Sequence, residues 1–241
     1  MSLLKNPLII ALDVDTAEEA AYLADKLEPF VGGFKVGLQL FNSAGPDVVH
    51  RLKEKGPVFL DLKLHDIPNT VSGAVRVLTR LGASILNVHA AGGRAMMREA
   101  AGAAREEAYQ AGISRPLVVA VTVLTSVGQA EFNNEVGFTG AIKDRVTAWA
   151  LLAKEAGLDG VVASPHEIAD VREACGPEFV IITPGIRPAG SVMGDQKRTM
   201  TPAEAVKLGA TYLVVGRPIT AAADPVKAAK FLADEMSLVT K

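Results

Sequence analysis

The sequence predicts an α/β protein built as a single-domain (β/α)8 barrel over residues 1–241. Three observations carry this. Short, β-branched, nearly continuous apolar runs recur along the chain, as parallel strands covered on both faces do. Helical patterns alternate with them; shared among eight such units, 241 residues give about thirty each, the size of a βα unit. No Pro/Ser-rich linker divides the series, and ALDVDT after the first run lacks the glycine-rich fingerprint that an open doubly wound sheet would want.

The predicted strands are LIIALD (8–13), GFKVG (33–37), VFLDLK (58–63), SILNVH (84–89), LVVAVT (117–122), GVVAS (160–164), FVIIT (179–183) and YLVVG (212–216). TAEEAAYLADKL opens the first helix, with Thr16 and Glu19 spaced as a capping box. GPDVVHRLKEK places Pro46 in a first helical turn. Further helices are expected in TVSGAVRVLTRLG, RAMMREAAGAAREEAYQAG, TGAIKDRVTAWALLAKEAG, HEIADVREACG, TPAEAVKLGA and DPVKAAKFLADEM. Several end at glycine, a common helix stop.

Composition narrows the function. A net charge of −2 and the absence of any basic run with interleaved aromatics argue against a nucleic-acid surface. The single cysteine, Cys175, permits no intrachain disulfide and fits the reducing cytoplasm. PLIIAL is too short for a signal core, and PLVVAVTVL falls far below a membrane span, so a soluble protein is expected.

Chemistry in such a barrel gathers at the C-terminal ends of the strands. There FLDLKLHDIPNT (59–70) sets Asp61 and Asp66 around Lys63. Alternation along a strand points Asp61 and Lys63 the same way, and Asp13 and Lys35 add a second opposite pair at equivalent depth. Four charged groups at one rim read as a site, although an ion-pair layer filling the barrel is the plainer alternative. Strand four ends at Asn87 and His89, where His89 could simply satisfy a rim hydrogen bond. His50 and His166 fall in helical patterns and read as surface residues, and no histidine pair has zinc-ligand spacing. Asp61 and Asp66 alone leave a magnesium site open.

A second cluster follows strands seven and eight, where barrels commonly bind phosphate. It holds Gly185, Arg187, Gly190, Gly194, Gln196, Gly216 and Arg217. Glycines let backbone N–H groups approach an anion, and Arg217 can grip phosphate with two donors. Residues 184–199 are long for a βα loop, which suggests a mobile lid.

These motifs make the chain recognisable. ALDVD, KVG, FLDLKLHDIPNTV, NVHAAGG, VTVLTS, TPGIRP, GDQKRTMTP and VVGRPIT together resemble the bacterial branch of the orotidine 5′-phosphate decarboxylase family. The resemblance runs along nearly the whole chain, and DLKLHDIPNT is its most specific part. It implies conversion of orotidine 5′-monophosphate to uridine 5′-monophosphate and CO2, with no metal or organic cofactor. It also implies that Lys63 donates the proton and that Asp61 lies beside the substrate carboxylate. Asp13 and Lys35 would contact the ribose and extend the charge network. Asp66, Ile67 and Thr70 would come from the partner subunit of a homodimer. Thr125 would approach the pyrimidine, with Pro184 also at the substrate. Arg187, Gln196, Gly216 and Arg217 would hold the phosphate. Related magnesium-dependent keto-sugar-phosphate decarboxylases and hexulose-phosphate synthases resemble the chain in its DxKxxD pattern and form the alternative reading; VTVLTS and TPGIRP favour a nucleotide. A Schiff-base aldolase acting through Lys63 is disfavoured, because adjacent carboxylates raise a lysine pKa.

Overall fold

A computed structural model describes residues 4–188 and 200–237. Its eight strands are β1 Leu8–Ala11, β2 Gly33–Gly37, β3 Val58–Leu64, β4 Ile85–His89, β5 Leu117–Val121, β6 Gly160–Val162, β7 Val180–Thr183 and β8 Tyr212–Val215. All pair in parallel in sequence order, and β8 returns to β1, so the sheet closes into a barrel and leaves no edge. The open-sheet alternative is thereby excluded. The helices are α1 Ala17–Leu27, α2 Leu38–Ala44, α3 Asp47–Lys53, α4 Pro68–Arg80, α5 Gly93–Ala111 and α6 Gln129–Asn134. They continue with α7 Ile142–Glu155, α8 Ile168–Cys175, α9 Pro202–Lys207, α10 Arg217–Thr220 and α11 Pro225–Ser237.

All eight expected strands are present, with ends differing by no more than two residues. Asp13 lies two residues beyond β1 rather than in it, because the apolar run outlasts the ladder. Thr16 caps α1 by accepting the Glu19 N–H at 3.2 Å, and a fully reciprocal capping box forms at Thr201 and Glu204 before α9. Pro46 is the N-cap of α3, one position earlier than expected. Gly112 stops α5 in the left-handed conformation that glycine adopts without strain. The short helices α2, α6 and α10 were not anticipated; at four to seven residues they offer too few turns for a helical period to register.

Two apolar clusters hold the barrel. The larger lies between the sheet and its helices, where Leu8, Ile10, Phe34, Leu60, Leu86 and Val118 meet Leu23, Val49, Val75 and Met97. The smaller fills the interior with Ile9, Phe59, Ile85, Val119, Ile182 and Tyr212. The two sets alternate along each strand, as the pleat demands. Continuing the inward parity upward leads from Ile9 to Asp13, from Gly33 to Lys35, from Phe59 to Asp61, and from Ile85 to Asn87. The apolar floor thus gives way to polar groups at the mouth.

Candidate active site

The polar layer at the mouth is an alternating row of charge. Lys35 Nζ lies 3.0 Å from Asp13 Oδ1 and 3.3 Å from Asp61 Oδ2. Lys63 Nζ lies 2.7 Å from Asp61 Oδ1. Asp61 therefore stands between two ammonium groups, one on each oxygen. Lys35 is almost wholly buried, at 8% exposure, so its charge needs both carboxylates. Gly37 makes the room: a Cβ there would come within 2.8 Å of Lys35 Nζ and 3.1 Å of Asp13 Oδ1.

Lys63 reaches its place by an unusual route. Simple alternation predicts its direction correctly, but β3 is irregular there. Leu60 pairs with Leu86 and Leu64 with Val88, so four steps along β3 match two along β4. Lys63 has φ 52°, the one positive-φ residue other than glycine among the described residues. Side chains resist that conformation, and such strain gathers at functional sites. The Lys63 N–H is taken at 2.7 Å by Asn87 Oδ1, and Asn87 Nδ2 donates to Asp61 Oδ1 at 2.6 Å.

Lys35, Asp61 and Lys63 line a cavity of about 320 Å³ together with Thr125 and Pro184. Phe59, Val121, Val162 and Val214 form its apolar base, and Leu124, Ser126 and Ser164 contribute higher up. Five predicted site residues thus converge on one space. Gly216 and Arg217 leave β8 beside it; a Cβ on Gly216 would lie 3.8 Å from Asp13 Oδ2. Arg187 follows β7, where its N–H donates to Met200 O at 3.0 Å and its Nη1 to Ile186 O at 2.9 Å. Gln196, Gly190, Gly194 and most of the expected lid lie outside the described residues. Asp66, Ile67 and Thr70 are not in this cavity's wall. They are exposed at the start of α4, where Asp66 Oδ1 accepts the Ile67 N–H at 2.6 Å. Ile67 is extended at φ −58°, ψ 152°, as the following Pro68 requires.

The model for the "Orotidine 5'-phosphate decarboxylase / HUMPS family" matches residues 6–232. The chain belongs to that family. The orotidine 5'-phosphate decarboxylase of Moorella thermoacetica is 58% identical over 236 residues, covering 98% of this chain and 94% of that protein. That of Syntrophomonas wolfei is 54% identical, covering 95% and 97% respectively. A crystal structure of orotidine 5'-phosphate decarboxylase from Lactobacillus acidophilus superposes with a TM-score of 0.85 at 39% identity, covering 96% of this chain and 99% of that one.

Sequence reasoning missed the work done around the charged row. Asn87 was noted only as a strand end, yet its inward parity within SILNVH marked it as polar at an interior position. His89 stacks on His65 at 5.3 Å between ring centroids, and Trp149 meets His89 edge-on at 6.3 Å. Burial, then the nearby His65 and Lys63, holds His89 below its ordinary pKa of 6.5. Nothing in the sequence joins Trp149, on α7, to that pair. His50 and His166 are exposed, as expected. Cys175 is buried, and burial pushes its thiol pKa up, so it is poorly suited to be a nucleophile. Among the described residues no helix is long and apolar enough to cross a membrane.

Proposed function

We propose that the chain decarboxylates orotidine 5′-monophosphate to uridine 5′-monophosphate and CO2 in pyrimidine synthesis, using no metal or organic cofactor. The observation that carries this reading is the Asp13–Lys35–Asp61–Lys63 row, whose Lys35, Asp61 and Lys63 line a cavity of about 320 Å³. Loss of CO2 from the pyrimidine leaves a carbanion in the ring plane, with no adjacent sink for the charge. A fixed ammonium where that charge develops lowers the barrier. The group must also deliver a proton, which lysine can do and arginine cannot readily do. Asp61 Oδ1, 2.7 Å from Lys63 Nζ, holds and aims the ammonium.

Repulsion between Asp61 and the substrate carboxylate does not suffice. Two charges about 4 Å apart cost roughly 4 kcal/mol at an effective dielectric of 20. Enzymes acting on very slow reactions must remove about 20 kcal/mol or more. Carbanion stabilisation and remote binding energy supply most of it. In this reading Arg187, Gln196, Gly216 and Arg217 grip the phosphate, Thr125 and Pro184 meet the base, and Asp13 and Lys35 hold the ribose. The magnesium-dependent alternative needs free carboxylate oxygens, whereas both Asp61 oxygens already face lysine ammoniums.

The reading includes a cytoplasmic homodimer of single-domain chains that lend Asp66, Ile67 and Thr70 to each other's site. The exposure of all three supports this. The deciding experiment follows absorbance after addition of orotidine 5′-monophosphate, with and without prolonged chelation. Turnover unaffected by chelator is expected; activity that vanishes and returns with Mg²⁺ would favour the alternative. For the shared site, Lys63→Ala and Asp66→Ala chains are unfolded together and refolded. Half the dimers are mixed, and each has one site with both residues intact, so about a quarter of all sites should regain activity. Confirmed heterodimers without recovery would return Asp66 to its own chain's site.

A further inference from the structure

We propose that Asn87 is a positioning residue for Lys63 and Asp61, fixing the proton donor through both its backbone and its charge partner. The inference rests on the decarboxylase reading above.

Asn87 sits between Leu86 and Val88, opposite the stretch of β3 that outruns its partner. The bulge turns the Lys63 N–H out of the regular ladder, and Asn87 Oδ1 accepts it at 2.7 Å. The other end of the same amide donates to Asp61 Oδ1 at 2.6 Å, the oxygen that also receives Lys63 Nζ at 2.7 Å. The orientation of the amide is forced. A backbone N–H can only donate and a carboxylate can only accept, so oxygen faces Lys63 and nitrogen faces Asp61. Asn87 is 1% exposed, and water has little access to replace either bond.

The consequence is chemical. Lys63 holds two constraints from one side chain: a left-handed backbone at φ 52° and an ammonium aimed by Asp61. When Lys63 passes its proton to the substrate carbon, its attraction to Asp61 drops. Asn87 Nδ2 remains on Asp61 Oδ1, and Lys35 remains on Oδ2. The carboxylate therefore stays put while its partner changes charge. A fixed dipole of this kind needs no rearrangement at the moment of reaction.

Two variants separate positioning from structural support. Asn87→Ala removes both bonds. It is expected to lower kcat by about thirtyfold while KM moves by less than about threefold, since the missing contacts aim the reacting group rather than bind substrate. Asn87→Asp keeps the shape and the acceptor for Lys63, but its ionised carboxylate cannot donate to Asp61. Its protonated form can. Lys63 and Asp61 face the introduced carboxyl directly, with Lys35 behind Asp61. The ratio of variant to parent kcat, measured per folded molecule, should therefore fall as pH rises.

A merely structural role would lower the folded fraction and leave that ratio flat. Should Asn87→Ala not fold, the pH series on Asn87→Asp decides. An Asn87→Ala kcat less than tenfold below the parent, or a flat ratio for Asn87→Asp, overturns the proposal. A parent chain that does not turn over orotidine 5′-monophosphate removes the decarboxylase reading, and this proposal with it.

Discussion

Charged groups are paired at both ends of this barrel, and they are satisfied in opposite ways. At the floor, Arg172 donates through Nη1 to the carbonyls of Gly176, Pro177 and Phe179 at 2.7, 2.8 and 2.7 Å. Its Nη2 reaches Gly209 O at 2.7 Å, so one guanidinium ties the segments entering β7 and β8. Arg115 grips both oxygens of Asp159 at 2.9 and 2.7 Å, and Asp159 also accepts the Val118 N–H at 2.8 Å. These charges are spent on backbone and on a two-pronged pair. At the mouth, Lys35, Lys63, Asp13 and Asp61 answer mainly one another, and Lys35, Asp61 and Lys63 line a cavity. Ion pairing alone therefore does not mark a site. What distinguishes the mouth is that the pairing is unfinished and opens onto space a ligand could fill.

The sharpest way to break this contrast is to truncate one cation at each end. Lys63→Ala should remove about a thousandfold or more of the turnover, the scale of a lost proton donor and electrostatic stabiliser. Its thermal midpoint should stay near the parent's. Arg172→Ala should do the reverse. It strands several carbonyls at once and is expected to cost about 3 kcal/mol of stability, with kcat per folded molecule unchanged. Thermal denaturation and initial rates on the same preparations test both. A large stability loss in Lys63→Ala, or a catalytic loss in Arg172→Ala, would erase the distinction.

Two glycines allow the same comparison with a single added methyl group. At the floor, a Cβ on Gly160 would stand 2.1 Å from Val180 O, in the backbone of the adjacent strand. Gly160→Ala must push β6 and β7 apart and is expected to cost about 3 kcal/mol. At the mouth, the Cβ of Gly37→Ala meets only the movable tips of Lys35 and Asp13. It should change stability little, yet lower kcat/KM by about tenfold through displacement of the Lys35–Asp13 pair. Equal stability losses in both variants would mean that the mouth is as rigidly packed as the floor.

Much of this was legible in the sequence, for a physical reason. Strand number and order follow from apolar runs and from the spacing of βα units, which are local properties. Asp61 and Lys63 were readable as neighbours because alternation is local too. The bulge at Lys63 was not, since it depends on how β3 registers against β4, and no residue type announces it. Arg172 read as an ordinary residue of a helical stretch, because its acceptors are carbonyls that any sequence supplies. Gly37 looked like the end of a strand; its need for an absent Cβ appears only once Lys35 and Asp13 are seen to meet over it. The His65–His89–Trp149 cluster joins three elements remote in the chain.

That last cluster gives the smallest expected effect and a direct readout. Trp149 is the single tryptophan, and it meets His89 edge-on at 6.3 Å. Burial, then His65 and Lys63, keeps His89 below 6.5, so the folded state resists its protonation. The unfolded chain binds that proton more readily, so stability is lost as pH falls from 6.5 toward the depressed folded value, and is fully present above 6.5. Tryptophan emission should report the same event, since an imidazolium beside the indole alters it. The emission of Trp149 is expected to titrate with a midpoint below 6.5, and His89→Gln should remove the step. Lys63→Ala should move the midpoint up slightly, because one of the positive charges opposing protonation is gone. A midpoint unmoved by Lys63→Ala would show that the charged row is electrostatically insulated from the aromatic cluster beside it, so that the unfinished pairing at the mouth is felt only inside the cavity.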